Sequence, residues 1–158
     1  MQKISACLWF DGKAEEAMNF YMSVFENSKV LSVLYHGEAG PGPKGSVLAM
    51  TVRLDDTEIM ALNGGPQYPF SPAVSLFVKC RTQAEIDHFW EKLQAGGGKP
   101  VECGWLTDKY GVSWQIVPVQ IMEMLQDKDA AKAQRAMNAL MQMVKLDIAA
   151  LTKAYEGR

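Results

Sequence analysis

A chain of 158 residues with 48% apolar side chains can build one core or two half-sized modules without a metal or disulfide staple. Its formal charge of −2, with both signs interspersed, excludes a basic nucleic-acid stripe and a disordered acidic tail. Three widely spaced cysteines, Cys7, Cys80 and Cys103, make neither a zinc knuckle nor a disulfide framework, so the expected compartment is the reducing cytoplasm.

The opening MQKISACLWFDG has an apolar run too short for a secretory leader. Nowhere do about 18 apolar residues follow one another, so no membrane span is expected. Residues 4–10 read as a buried strand. Lys13 to Phe25 reads as a helix, because Ala14, Ala17, Met18, Tyr21 and Phe25 fall on one face at helical spacing. Residues 29–36 form a second expected strand, followed by the turn-rich GEAGPGPKG loop at 37–45. Residues 46–54 and 58–62 follow as strands, joined by a tight hairpin at Asp55-Asp56. Asn63-Gly64-Gly65-Pro66 then ends the pattern.

After that break the order begins again. Residues 72–80 read as a strand and 83–94 as a helix that buries Ile86, Phe89, Trp90 and Leu93. Glu16 falls on Glu85, Phe20 on Phe89 and Tyr21 on Trp90, so the second helix repeats the first at an offset of 85 − 16 = 69 residues. Two βαβββ modules are therefore expected, over 1–63 and 72–118. Residues 119–158 differ. Met122 and Leu125 suggest a short helix, and Ala133, Ala136, Met137, Leu140, Met141 and Val144 mark a longer one. Asp147 is placed to cap a last helix carrying Ile148, Leu151 and Tyr155.

Leu8-Trp9-Phe10-Asp11-Gly12, Glu16-Ala17 and Asn19-Phe20-Tyr21 resemble the opening of PhnB-like proteins. Cys103-Gly104-Trp105, Asp108-Lys109-Tyr110-Gly111 and Ser113-Trp114-Gln115 resemble the closing strands of one branch, labelled 3-demethylubiquinone-9 3-methyltransferase-like. These belong to the glyoxalase/bleomycin-resistance/dioxygenase (vicinal oxygen chelate) superfamily. The resemblance implies an α+β fold, with two βαβββ modules forming a curled mixed sheet over residues 1–118. A C-terminal helical extension over 119–158, suited to stabilising a homodimer, completes it. Enzymes of the superfamily hold a divalent metal on four inward-facing side chains. The resemblance places these near Ser5, Ala49, Ala73 or Val74, and Gln115, a set poor in donors. No metal and no cofactor are expected. His36 and His88 are expected at the surface or rim.

The methyltransferase label implies S-adenosylmethionine, yet Gly96-Gly97-Gly98 follows a helix, where a C-cap and turn are expected. Cys103 reads either as a structural thiol or as a nucleophile lacking a base. Asp108 to Gly111 reads either as an acid–base pair or as a strand-joining turn. Strand alternation sends Leu48, Met50, Val52 and Leu54 toward the helices, as it does Val112, Trp114 and Ile116. The opposite faces present Trp9, Thr51, Arg53, Ser113 and Gln115 as candidate ligand contacts. They line a cup that either takes a ligand or is filled by its own side chains and water. The expected activity is binding of a small polar or anionic organic molecule, with Arg53 as charge anchor. The alternative is an enzyme, either a methyltransferase or a lyase/isomerase with a non-standard metal shell. Partners are expected to be that small molecule and a second copy, not nucleic acid or membrane.

Overall fold

A computed structural model describes residues 1–158. The chain forms two compact units, Met1–Phe70 and Ser71–Arg158. In the first, β1 (Ala6–Phe10) leads into α1 (Ala14–Val24), then β2 (Ser28–Tyr35), β3 (Val47–Leu54) and β4 (Thr57–Asn63). The sheet order is β1-β4-β3-β2, with β1 parallel to β4 and the other pairs antiparallel. In the second unit, β5 (Ser75–Cys80), α2 (Gln83–Gln94), β6 (Lys99–Pro100), β7 (Trp105–Thr107) and β8 (Ser113–Pro118) repeat the plan. Their order, β5-β8-β7-β6, is the same permutation with the same single parallel pair. Two βαβββ modules, each a four-stranded mixed sheet with its helix, are the architecture.

Period-two patterning builds each core. In β3, Met50, Val52 and Leu54 are buried against α1, while Ala49, Thr51 and Arg53 on the opposite face are half-buried. The helix answers with Ala14, Ala17, Met18, Tyr21 and Val24, all buried. Its first turn lacks a side-chain cap of its own. Instead Asn63 Oδ1, at the end of β4, accepts from the Ala14 N–H at 2.9 Å. The second helix is capped locally, with Thr82 Oγ1 accepting from Glu85 N at 3.2 Å and the Glu85 carboxylate accepting from Arg81 N. Asp55, in left-handed conformation with φ 53°, makes the two-residue turn between β3 and β4.

Three helices follow β8: α3 (Val119–Leu125), α4 (Ala130–Met141) and α5 (Ile148–Glu156). Asp147 Oδ1 accepts from Ala150 N at 2.8 Å, the cap expected from the sequence. The short helix expected around Met122 and Leu125 is α3, which buries Ile121 and Met124, with Leu125 packed beside them and Met122 exposed. A seven-residue helix makes too few turns for spacing alone to fix its inner face. The methionine stripe of α4 also divides. Ala136 is buried and Leu140 packs beside it, whereas Met137 and Met141 are exposed, as is Val144 beyond the helix. Tyr155 donates its hydroxyl to Asp127, and this bond holds the Asp127 carboxyl below its ordinary range.

Candidate functional site

Register decides which side chains meet on the sheet faces turned away from α1 and α2. In the first unit, Trp9, Leu62, Ala49 and Leu34 form one cross-strand row, and Cys7, Met60, Thr51 and Ser32 the next. Glu58, Arg53 and Lys29 form a third. Thr51 thus lies at the centre of the face. Trp9 and Arg53 lie at opposite ends, four residues of strand apart, roughly 13 Å at ~3.3 Å per residue. A small ligand spans one end or the other. The Trp9 indole donates to Gly65 O at 2.9 Å and meets the edge of Tyr68 at 5.1 Å between ring centroids. Arg53 is already engaged, with its guanidinium 3.5 Å from the Glu58 carboxylate. The sequence held the signal for that pair. A two-residue turn at Asp55-Asp56 sets Arg53 opposite Glu58.

In the second unit Ser75, Ser113 and Thr107 form one row, and Phe77, Gln115 and Trp105 the adjacent one. Gln115 Nε2 donates to Ser75 Oγ at 2.9 Å. Ser113 is only 4% exposed, so of the two predicted contacts on β8, half-buried Gln115 is the accessible one. An amide between two aromatic rings, with a hydroxyl in the next row, can hydrogen-bond a polar group and cover its apolar part.

Ala73 and Val74 precede β5, which begins at Ser75 and not at residue 72, so the strand position nearest them is Ser75. The first unit then offers Ser5 and Ala49, and the second offers Ser75 and Gln115. Hydroxyls, a methyl and an amide supply no imidazole, carboxylate or thiolate, and nowhere do three His, Cys, Asp or Glu side chains converge. These residues do not fit a divalent metal. Nor do the glycines fit S-adenosylmethionine. A Cβ at Gly98 would lie 2.6 Å from Gln94 Cα and 2.7 Å from Thr107 O, so that glycine exists for the close exit of α2 onto β7.

The remaining candidates also resolve. Asp108 is 3% exposed, and its carboxylate accepts from Tyr110 N, Val112 N and Trp114 Nε1 at 2.9–3.0 Å. That is a turn anchor with its oxygens engaged, not a free acid. Cys80 is sealed in the core, where burial first and the Glu85 charge second push its thiol up to about 12. Cys103 takes a left-handed conformation, φ 58°, and its N–H donates to Met143 O at 2.8 Å. His36 departs from the surface or rim position expected of it, being only 8% exposed. Gly40 and Gly42 explain this burial, since Cβ atoms there would come within 2.9 Å of Nδ1 and 2.4 Å of Nε2. The loop closes on the imidazole because it lacks side chains at those two points.

Comparison with known proteins adds the lineage. The family model described as 3-demethylubiquinone-9 3-methyltransferase matches residues 2–117. A PhnB protein from Bacillus cereus is 42% identical, with TM-score 0.68, covering 75% of this chain and all of its own. A protein from Pseudomonas aeruginosa is 22% identical, with TM-score 0.61, covering 75% of this chain and 98% of its own. A fosfomycin resistance protein from Mesorhizobium loti shares the fold alone, at 11% identity and TM-score 0.53, covering 78% of this chain and 98% of its own. No curated protein matches the chain.

Proposed function

The chain belongs to the 3-demethylubiquinone-9 3-methyltransferase family, with the glyoxalase/bleomycin-resistance fold, and from that premise we propose that it binds a small polar organic molecule. The observation that carries this reading is Gln115, set between Phe77 and Trp105 in its row and bonded to Ser75 of the next row, on the second sheet's face away from α2. Phe77 is 43% exposed, so the pair has an apolar neighbour that a ligand can cover. On the first sheet Thr51 is the proposed contact at the centre and Trp9 at one end. Arg53 and Glu58 neutralise one another, which favours a polar ligand over a simple anion. An enzymatic reading has the family label behind it, but the donor set and the glycine run fit neither of the groups that label and fold imply. A cytoplasmic location rests on the cysteine usage and is part of the same proposal. No helix is long and apolar enough to cross a membrane.

A thermal-shift screen of small polar metabolites tests this. A hit is expected to saturate, and Gln115→Ala to weaken it by about 0.5–1.5 kcal/mol, the worth of a neutral hydrogen bond. A hit whose affinity ignores Gln115, or turnover of a catechol by methyl transfer from added S-adenosylmethionine, would displace the proposal.

A homodimer belongs to the same reading, with the exposed Met137, Met141 and Val144 as its contact. Light scattering of the intact chain is expected to give twice the 17.5 kDa chain mass. A monomer at tens of micromolar would remove this part.

A further inference from the structure

On the second sheet, the face turned away from α2 carries cations and no carboxylate. Register sets Lys99 beside Thr107, in line with Ser113 and Ser75, and sets Lys79 beside Val117. Both lysines are exposed, and the ion pairs of the chain all involve other residues. No Asp or Glu occupies a strand position on this face. The first sheet differs, because Arg53 there is matched by Glu58.

The two lysines stand at opposite corners, three strands and four residues apart. That is roughly 19 Å between Cα atoms, at ~4.8 Å per strand and ~3.3 Å per residue. One small ligand reaches only one of them. Val117, beside Lys79, is apolar and buried, and offers no donor. Lys99 has the Thr107 hydroxyl beside it and Ser75 further along its row. Ser75 Oγ accepts from Gln115 Nε2, which leaves the serine hydrogen free to donate. Lys99 also has a fixed base, since the preceding Gly98 N–H donates to Gln94 O at 2.9 Å. From Lys99, Gln115 lies two strands and two residues away, roughly 12 Å by the same spacings. Trp105 stands between them, beside Gln115 in its row and two residues from Thr107. A lysine stem and a glutamine side chain close part of that span, and one ring fills the rest.

We infer, building on the sheet-face site proposed above, that its ligand is a small aromatic monocarboxylate. The carboxylate sits on Lys99 and Thr107, and the ring lies along Trp105 toward Gln115. An ion pair at an exposed lysine is weak alone, so the hydroxyl and the aromatic contact supply the rest of the grip. A dianion is disfavoured because a single lysine is within reach, and a cation because nothing on the face offsets its charge.

The probe is benzoate at neutral pH, titrated into the ¹⁵N-labelled full chain at low and moderate salt, with benzamide as the neutral molecule of the same shape. Saturable shifts at the Lys99, Trp105, Thr107 and Gln115 amides are expected with benzoate, weakening as salt rises. Benzamide is expected to bind at least about five-fold more weakly. Lys99→Gln, an exposed substitution that spares the core, is expected to weaken benzoate at least about five-fold and to flatten its salt dependence. Lys79→Gln is expected to change benzoate binding by less than about two-fold. The inference is overturned if benzamide matches benzoate, if Lys99→Gln leaves benzoate unchanged, if Lys79→Gln is the more damaging variant, or if benzoate never saturates. In each of those cases a screening hit weakened by Gln115→Ala still upholds the proposed site. Benzoate binding that needs Lys99 but ignores Gln115→Ala would instead overturn that site and the inference built on it.

Discussion

Asp108→Ala is expected to cost the Ser71–Arg158 unit about 3–5 kcal/mol in urea unfolding, a loss reserved for buried networks. The carboxylate gathers three N–H donors. Oδ1 takes the backbone of Tyr110 and Val112, and Oδ2 takes the Trp114 indole at 2.9 Å. Trp114 is itself buried, so water cannot replace the lost oxygen at its Nε1. Each stranded donor costs about 1–3 kcal/mol, and relaxation of the turn recovers part. Asp108→Asn should fall between wild type and alanine. It keeps one oxygen for the two backbone donors but sets an NH₂ against the indole N–H. Trp114 fluorescence follows the transition at the site of damage. A loss under about 1 kcal/mol for alanine would mean that the turn holds without its anchor, and Asp108 would again be open to a chemical role.

The sequence made the repeated modules legible because each is written in its own period. Helical spacing named Ala14, Ala17, Met18 and Tyr21, all four buried, and set α2 at the residues it occupies. Alternation along β3 separated Met50, Val52 and Leu54 from Thr51 and Arg53. What escaped was set by contacts between segments. Arg53 reads as a lone cation until register sets Glu58 across from it. His36 reads as a rim residue until Gly40 and Gly42 fold the loop over it. Ser113 and Gln115 share a face as expected, yet differ in accessibility, which alternation does not report. Periodicity says which way a side chain points, and neighbours decide whether anything can reach it.

Leu146 anchors residues 119–158 within their own unit. Read from the sequence, their apolar stripe packs on the sheet or on a second subunit, and Leu146 takes the first course. Leu146 is 0% exposed, clustered with Val117, Ile121, Met124, Ala136 and Leu151. It also sits where a Cβ on Gly104 would come within 2.9 Å of it. Around it the chain is stitched by backbone bonds from Cys103 N to Met143 O and from Gly104 N to Val144 O, both 2.8 Å. Gln83 adds two more, donating to Leu146 O at 3.1 Å and accepting from Ile148 N at 2.9 Å. Lys145 pairs with Asp87 on α2. Leu146→Ala is therefore expected to cost about 2–5 kcal/mol, the range for emptying a closely packed leucine site. That loss should be the same at low and high protein concentration, because the contacts are made within one chain. Met141→Ala, at a side chain 59% exposed, should change stability by less than about 0.5 kcal/mol and act on self-association if it acts at all. Deleting the chain after Val119 removes the acceptors of Cys103 and Gly104 together with the cover over Val117, so an aggregating product follows from lost core before any question of dimerisation. If Leu146→Ala instead weakened association at unchanged unfolding stability, Leu146 would belong to the contact between subunits, and the cluster around it would be incidental to the fold of its own chain.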